Sequence, residues 1–390
     1  MLTISRILLA IFLLFTGIYA SSPLYRHFIE KRINKIEHTF DIKASQEAQD
    51  IHSTLFIADL HADPLFSFRN LLQRHSTGHM DVPRLIEGNI RLQVFGVPTL
   101  IPMLPNIKRN NSKMELTGFL AFLQHWPVKT WYSQKNRAFY QAKKLHQLEA
   151  NSNGRLTIIK TSKQLEEHYR RAMKETCSAA GILMLEGAHV IRKVPDDLEE
   201  LYECGFRMVG LTHFTDNHFG GCAHGAEKGG LTELGRKAVK QMEDLNIIID
   251  LAHASSTLMD EVLSTASRPV MVSHTGVKGC INNNRNLSDG QLKAITSKGG
   301  LIGIGFWEEA VGEEGAKSIV NSIKYASQLV GVKHIALGSD FDGGVTMPFD
   351  AAGMVHITAE LMKQGFSKEE IRMIMGENAF NFLMKGLPRH

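Results

Sequence analysis

Leu55–Asp63 reads LFIADLHAD, an apolar run that ends in a histidine with an aspartate two places to either side. A run that does not alternate with polar residues suits a strand buried on both faces better than a half-exposed one. Seven similar runs follow: Leu92–Val97, Gly181–Leu185, Met208–Thr212, Ile247–Leu251, Val270–Ser273, Leu301–Phe306 and His334–Leu337. Helical periodicity fills most of the gaps. Glu233–Leu245 sets Leu234, Ala238 and Met242 four residues apart on one face, and Ser256–Ala266, Ser288–Ser297 and Ala316–Val330 behave alike. Strand alternating with helix about eight times predicts an α/β fold, a (β/α)₈ TIM-type barrel. An open doubly wound sheet is the alternative, but no GxGxxG opens a first helix.

One connection is long. Between the second and third runs, Pro98–Ala180 carries helical stretches (Gly118–His125, Thr130–Glu149) and an extra strand, Leu156–Lys160. Such a length marks an insertion that shapes or covers a site. Residues 54–385 form the barrel domain and 23–53 a helical connector, preceded by a signal peptide or N-terminal membrane anchor over 1–22. That last reading rests on Ile7–Ala20, ILLAIFLLFTGIYA, an apolar run after Arg6 that suits export with or without an anchor. It places the protein in the periplasm or at the cell surface, if the host is bacterial. The formal net charge is only +4, and the basic residues form no long run, so a nucleic-acid partner is not expected. Four cysteines without a CxxC give no support to a zinc–thiolate site.

The ionisable residues carry the functional reading. The first run ends in His61 and Asp63, the third in Glu186, the fourth in His213, the fifth in His253, the sixth in His274 and the eighth in Asp340. Barrel enzymes build their sites at the carboxyl ends of the strands, so a barrel gathers these residues on one face. Singly, each has an ordinary explanation as a cap or a hydrogen-bonded surface residue; together they form a ligand set. Imidazole and carboxylate without thiolate suit catalytic zinc, and an excess over one tetrahedral set suggests two metals. Glu186 is the natural bridge, because a carboxylate offers two oxygens and an imidazole one free nitrogen.

These motifs in order (ADLHADPL, LEGAHVI, LTHFTDN, IIDLAHAS, VSHTG, NNRNLSD, LGSDFDGG) resemble those of the membrane dipeptidases, from about Leu55 to Asn378. The resemblance implies two Zn²⁺ ions, one held by His61 and Asp63, the other by His253 and His274, with Glu186 bridging. It implies catalytic or substrate-binding roles for His213, Arg285 and Asp340. The reaction expected is hydrolysis of dipeptides by a hydroxide held between the metals. His213 would then bond the oxyanion, Asp340 move the proton and Arg285 clamp the free carboxylate. Relatives commonly pair as homodimers.

Two departures are visible. Phe306-Trp307 stands where the family often has Phe-Tyr, which bears on side-chain preference. The glycine-rich segment Asp216–Gly230 reads as a candidate mobile lid, with His218 and His224 as ordinary loop histidines. For Arg285 the alternative is an ion pair with Asp289. Two other functions stay open: another metal-dependent amide or lactone hydrolase of this barrel class, and a catalytically dead, membrane-tethered binding protein. The opening His61-x-Asp63, rather than His-x-His, and the intact ligand set weigh against both.

Overall fold

Eight parallel strands close into a barrel: β1 (Ile57–Ala62), β2 (Ile90–Pro98), β3 (Ala179–Glu186), β4 (Phe206–Gly210), β5 (Ile248–Asp250), β6 (Met271–Thr275), β7 (Leu301–Ile304) and β8 (Ile335–Leu337). Each pairs with the next, β8 pairs back with β1, and every strand residue is buried. That is why the runs lack alternation: their outer faces meet helices and their inner faces fill the barrel. The computed structural model describes residues 16–22, 25–26, 28–37, 44–111, 114–175 and 177–390. Most of the apolar run Ile7–Ala20 lies outside the described residues, and no described helix is long and apolar enough to cross a membrane.

The helices follow their stripes with small shifts. In Glu233–Asp244 the buried face is Gly235, Ala238, Val239 and Met242, with Leu234 only half-buried, one position round from the expected set. The insertion after β2 forms three helices, Thr117–Leu123, Val128–Tyr132 and Gln134–Asn151. It ends with a strand, Leu156–Ile158, that pairs with the start of β3. The segment read as a helical connector is only partly helical. Its Lys35–Ile36 is a strand paired in parallel with Thr346–Met347 after β8, which folds the segment back over the barrel mouth. All four cysteines are free thiols, and only Cys222 is buried.

Two buried histidines away from the barrel mouth couple stability to pH. His52 Nε2 bonds Gly88 O at 3.1 Å and His168 Nε2 bonds Arg91 O at 2.8 Å. Burial pushes both rings down to about 4. They are neutral in the fold, whereas the unfolded chain protonates them below about 6.5. Between those values the unfolded state binds more protons, so stability rises with pH across that window and is lost as pH falls through it. The expected result is a melting temperature that drops from pH 7 to pH 4. His168→Gln should flatten that slope, which thermal melts across the pH series would show.

Candidate metal centre and substrate cavity

The strand ends bring the predicted residues together. His61 lies within β1, His274 within β6 and Glu186 closes β3, so rigid strands aim all three. His253 and Asp340 sit three residues past β5 and β8 in left-handed backbone, with φ of 64° and 66°. Such a conformation is costly for a side-chain-bearing residue and collects at functional sites. Backbone bonds lace the neighbouring loops: Asp340 N donates to His61 O at 3.0 Å, and Asp63 N donates to Phe341 O at 2.8 Å. At the end of β2 a glycine makes room, since a Cβ on Gly96 would meet Asp63 Oδ1 at 2.1 Å.

Glu186 is the hub. Its Oε1 lies 3.2 Å from His253 Nε2, 3.4 Å from His61 Nε2 and 3.6 Å from His274 Nε2. Its Oε2 lies 3.3 Å from His213 Nε2. His61 Nε2 is 3.5 Å from Asp63 Oδ1 and 3.9 Å from Asp340 Oδ1. Most of these separations are long for hydrogen bonds. Two donors each about 2.0–2.1 Å from one tetrahedral zinc stand about 3.3–3.4 Å apart, which is the spacing seen here. Three triads keep ligand atoms within 4.8 Å of one another: His61–Glu186–His274, Glu186–His213–His253 and His61–Asp63–Asp340.

Electrostatics make the same case for cations. Burial, with repulsion from Asp63, pushes Glu186 well above the usual carboxylate range, and Asp340 rises to about 7 largely through burial. Burial opposes charge on His61, yet Glu186, Asp63 and Asp340 together lift it to about 10. Three buried carboxylates around one imidazole call for added positive charge, and a divalent ion would supply it. His61 Nε2, Asp63 Oδ1 and Glu186 Oε2 are buried without a hydrogen-bond partner among the described residues, as atoms reserved for an ion would be. The donor set fits a binuclear centre.

A cavity of about 460 Å³ opens over these residues. Arg285 and Trp307 line it from one side, and Ile101, Leu116 and Leu120 of the insertion line it from another. A larger cavity, about 510 Å³, lies at the opposite ends of the strands, but its one carboxylate, Glu243, is taken up by the Ser267 and Arg268 amides. The chemistry is at the carboxyl ends.

The model of the family "Membrane dipeptidase (Peptidase family M19)" matches residues 45–385. The chain belongs to the membrane dipeptidases. Among curated relatives, dipeptidase verJ of Clonostachys rogersoniana is 27% identical over 266 residues. That alignment spans 66% of this chain and 66% of the relative. Two solved structures share the fold. A metallopeptidase from Rhodobacter sphaeroides, bound to a phosphinate mimic of L-Ala-D-Ala, is 23% identical with a TM-score of 0.71, covering 85% of this chain and 99% of that one. The probable dipeptidase PvdM of Pseudomonas aeruginosa is 18% identical with a TM-score of 0.74, covering 88% and 98%.

Within this membrane dipeptidase barrel, every residue singled out in the sequence as a ligand or catalytic group reaches the cavity or its floor. Arg285 is buried, donates to His274 O at 2.5 Å and leaves its Nε unpartnered, while Asp289 bonds Tyr325 instead. His224 lines the cavity but gives Nδ1 to Ile107 O at 2.8 Å, and His218 bonds Ile191 O away from the site. The Asp216–Gly230 loop is tied down rather than free. Asp216 accepts from the Cys222 and Glu227 amides at 2.8 and 2.7 Å, and Ser255 Oγ holds Gly229 O at 2.8 Å.

Sequence reasoning missed the layer beneath. Asp250 Oδ2 accepts from Ser273 Oγ at 2.7 Å, so Ser273 accepts in turn from His274 Nδ1 at 2.9 Å. This fixes the tautomer: Nδ1 carries the proton and Nε2 presents its lone pair to the centre. Asp59 repeats the pattern one seam away, accepting from Ser339 Oγ at 2.6 Å and Ser339 N at 2.7 Å. An aspartate followed, on the adjoining strand, by Ser-His or Gly-Ser-Asp was the available signal. For Asp250→Asn the expected result is metal affinity weakened about 10–100-fold with the fold intact, read by chelator competition and circular dichroism.

Proposed function

We propose that this membrane dipeptidase hydrolyses dipeptides with two zinc ions held by His61, Asp63, Glu186, His253 and His274. The observation that carries the reading is the convergence of three imidazoles on one buried carboxylate oxygen of Glu186, beside a cavity sized for a small molecule. When bound, such ions supply an activated water and polarise the scissile carbonyl. The chain's own groups do the rest. Arg285 offers an unpartnered guanidinium edge to the free carboxylate of the substrate, which selects short peptides by their C-terminus. Asp340 faces the cavity within 3.9 Å of His61 and moves the proton from the attacking water to the leaving amine.

His213 turns Nε2 toward the site and gives Nδ1 to Leu100 O at 3.1 Å. Because Nδ1 donates to a carbonyl, Nε2 can donate to an oxyanion only when the ring carries a second proton. Burial and the neighbouring His189 and His61 hold the ring well below its usual pKa. A proton taken up from solvent as substrate binds would be held there by the negative charge developing on the substrate oxygen, so the bond strengthens in the transition state. The test is metal analysis with turnover of a panel of L,L- and L,D-dipeptides, acyl amino acids and lactones. Two zinc ions and turnover confined to dipeptides are expected; turnover of lactones alone would overturn the assignment.

We also propose that the N-terminal apolar run exports or anchors the chain. Residues 16–22 are helical, and Tyr19 stacks on His125 at 3.9 Å and leans on Phe122 at 5.1 Å, so this end lies against the insertion. Fractionation of cells producing the full chain tests it.

A further inference from the structure

The cavity is not walled by the family region alone. Residues 28–37 precede the matched span, 45–385, yet Glu30, Arg32, Ile33 and Asn34 line the cavity. The segment is fixed in place. Lys35–Ile36 pairs with Thr346–Met347, Glu37 N donates to Met347 O at 2.8 Å, and His79 Nε2 bonds Lys35 O at 3.0 Å. Glu30, 3% exposed, accepts from Arg69 Nε at 2.7 Å, and Arg69 also pairs with Asp342, two residues beyond Asp340. Asn34 Oδ1 accepts from Gly344 N at 3.0 Å. A buried ion-pair chain thus ties this segment to the loop that carries Asp340.

Glu30 and Asn34 are spent on that anchoring, which leaves Arg32 and Ile33 to meet a ligand. Arg32 is exposed at the rim, with its guanidinium 4.8 Å from the Phe28 ring centroid and no ion pair among the described residues. Arg285 and Arg32 are the cationic side chains that line the cavity, one on its floor and one at its rim. The carboxylates of Glu30 and Asp342 are neutralised by Arg69, which leaves the exposed Glu309, among the described residues, as the one unpaired carboxylate of the lining outside the clustered site residues. A dipeptide whose terminal carboxylate sits on Arg285 would send a side chain toward an opposite wall. A second carboxylate is the group a free rim guanidinium recognises best.

We propose that residues 28–37 form a fixed specificity wall of the substrate cavity, with Arg32 selecting dipeptides that carry an acidic side chain. This rests on the dipeptidase reading. The experiment uses the full chain and compares kcat/KM for dipeptides that differ only in one side chain, carboxylate against its neutral amide. Arg32→Glu should lower the acid-to-amide ratio at least tenfold, mainly through KM, and Arg32→Ala should lower it less. Lys31→Ala, a neighbour that does not line the cavity, should leave the ratio unchanged. Dipeptide turnover with the same ratio in wild type and Arg32→Glu overturns the role of Arg32 while leaving the dipeptidase reading standing. An equal shift from Lys31→Ala overturns it too, because the effect would then be one of general charge. Absence of any dipeptide turnover by the wild type sinks both.

Discussion

Replacing Glu186 with glutamine is expected to leave fewer than two bound ions per chain and to lower kcat/KM by about 10³-fold or more, the scale seen when one member of a catalytic unit is lost. The reason is geometric. Glu186 Oε1 faces His61, His253 and His274 at 3.2–3.6 Å, and Oε2 faces His213 at 3.3 Å, so both halves of the centre share this one carboxylate. An amide keeps the shape but removes the charge that two cations would divide. Stability should move the opposite way. Burial and repulsion from Asp63 and Asp340 raise Glu186 well above its ordinary range, so its charged form is unfavourable in the ion-free fold. Ion-free Glu186→Gln should therefore melt above ion-free wild type at neutral pH, a stability gain bought with function. Metal analysis, dipeptide kinetics and paired melts in chelator check the three parts. A variant with two ions and wild-type turnover would remove Glu186 from the bridge.

The barrel was legible because each strand announces itself twice, by an apolar run and by the polar residue that ends it. The runs did not fix their own limits: β1 begins at Ile57, two residues after the run opens at Leu55, and ends at Ala62, one residue short of Asp63. In a strand buried on both faces no alternation marks the register, so only pairing with neighbours sets it. The clustered histidines and carboxylates were legible because their type is rare inside a barrel. Asp250 and Asp59 were not, since each sits within an apolar run and acts through a serine far along the chain, Ser273 on β6 and Ser339 just past β8, a relation that exists only once the strands pair. The wall formed by Glu30 and Arg32 was hidden for a similar reason. Its partners, Arg69 and Asp342, lie 39 and 312 positions further along from Glu30. Local composition there says only that the segment is polar.

Asp340→Asn is expected to cost about 10²–10⁴-fold in kcat, the usual worth of a positioned acid–base group, with KM changed much less. Asp340 is the most solvent-accessible of the clustered carboxylates, with 13% of its side chain exposed against 2% for Glu186, so it faces the substrate space. Burial raises it to about 7 in the ion-free fold, and bound cations would pull it back down, leaving a carboxylate ready to take a proton from the attacking water. Asparagine is the informative replacement because Asp340 holds a left-handed φ of 66°, which asparagine tolerates and alanine does not. The variant should therefore fold as the wild type does. Its amide oxygen can still stand beside His61 and Asp63, so metal content should fall far less than in Glu186→Gln. That contrast separates the two roles: one variant loses ions and turnover together, the other keeps ions and loses the proton step. Equal loss of metal in both would make Asp340 a ligand first, and full kcat in Asp340→Asn would send the proton by another route.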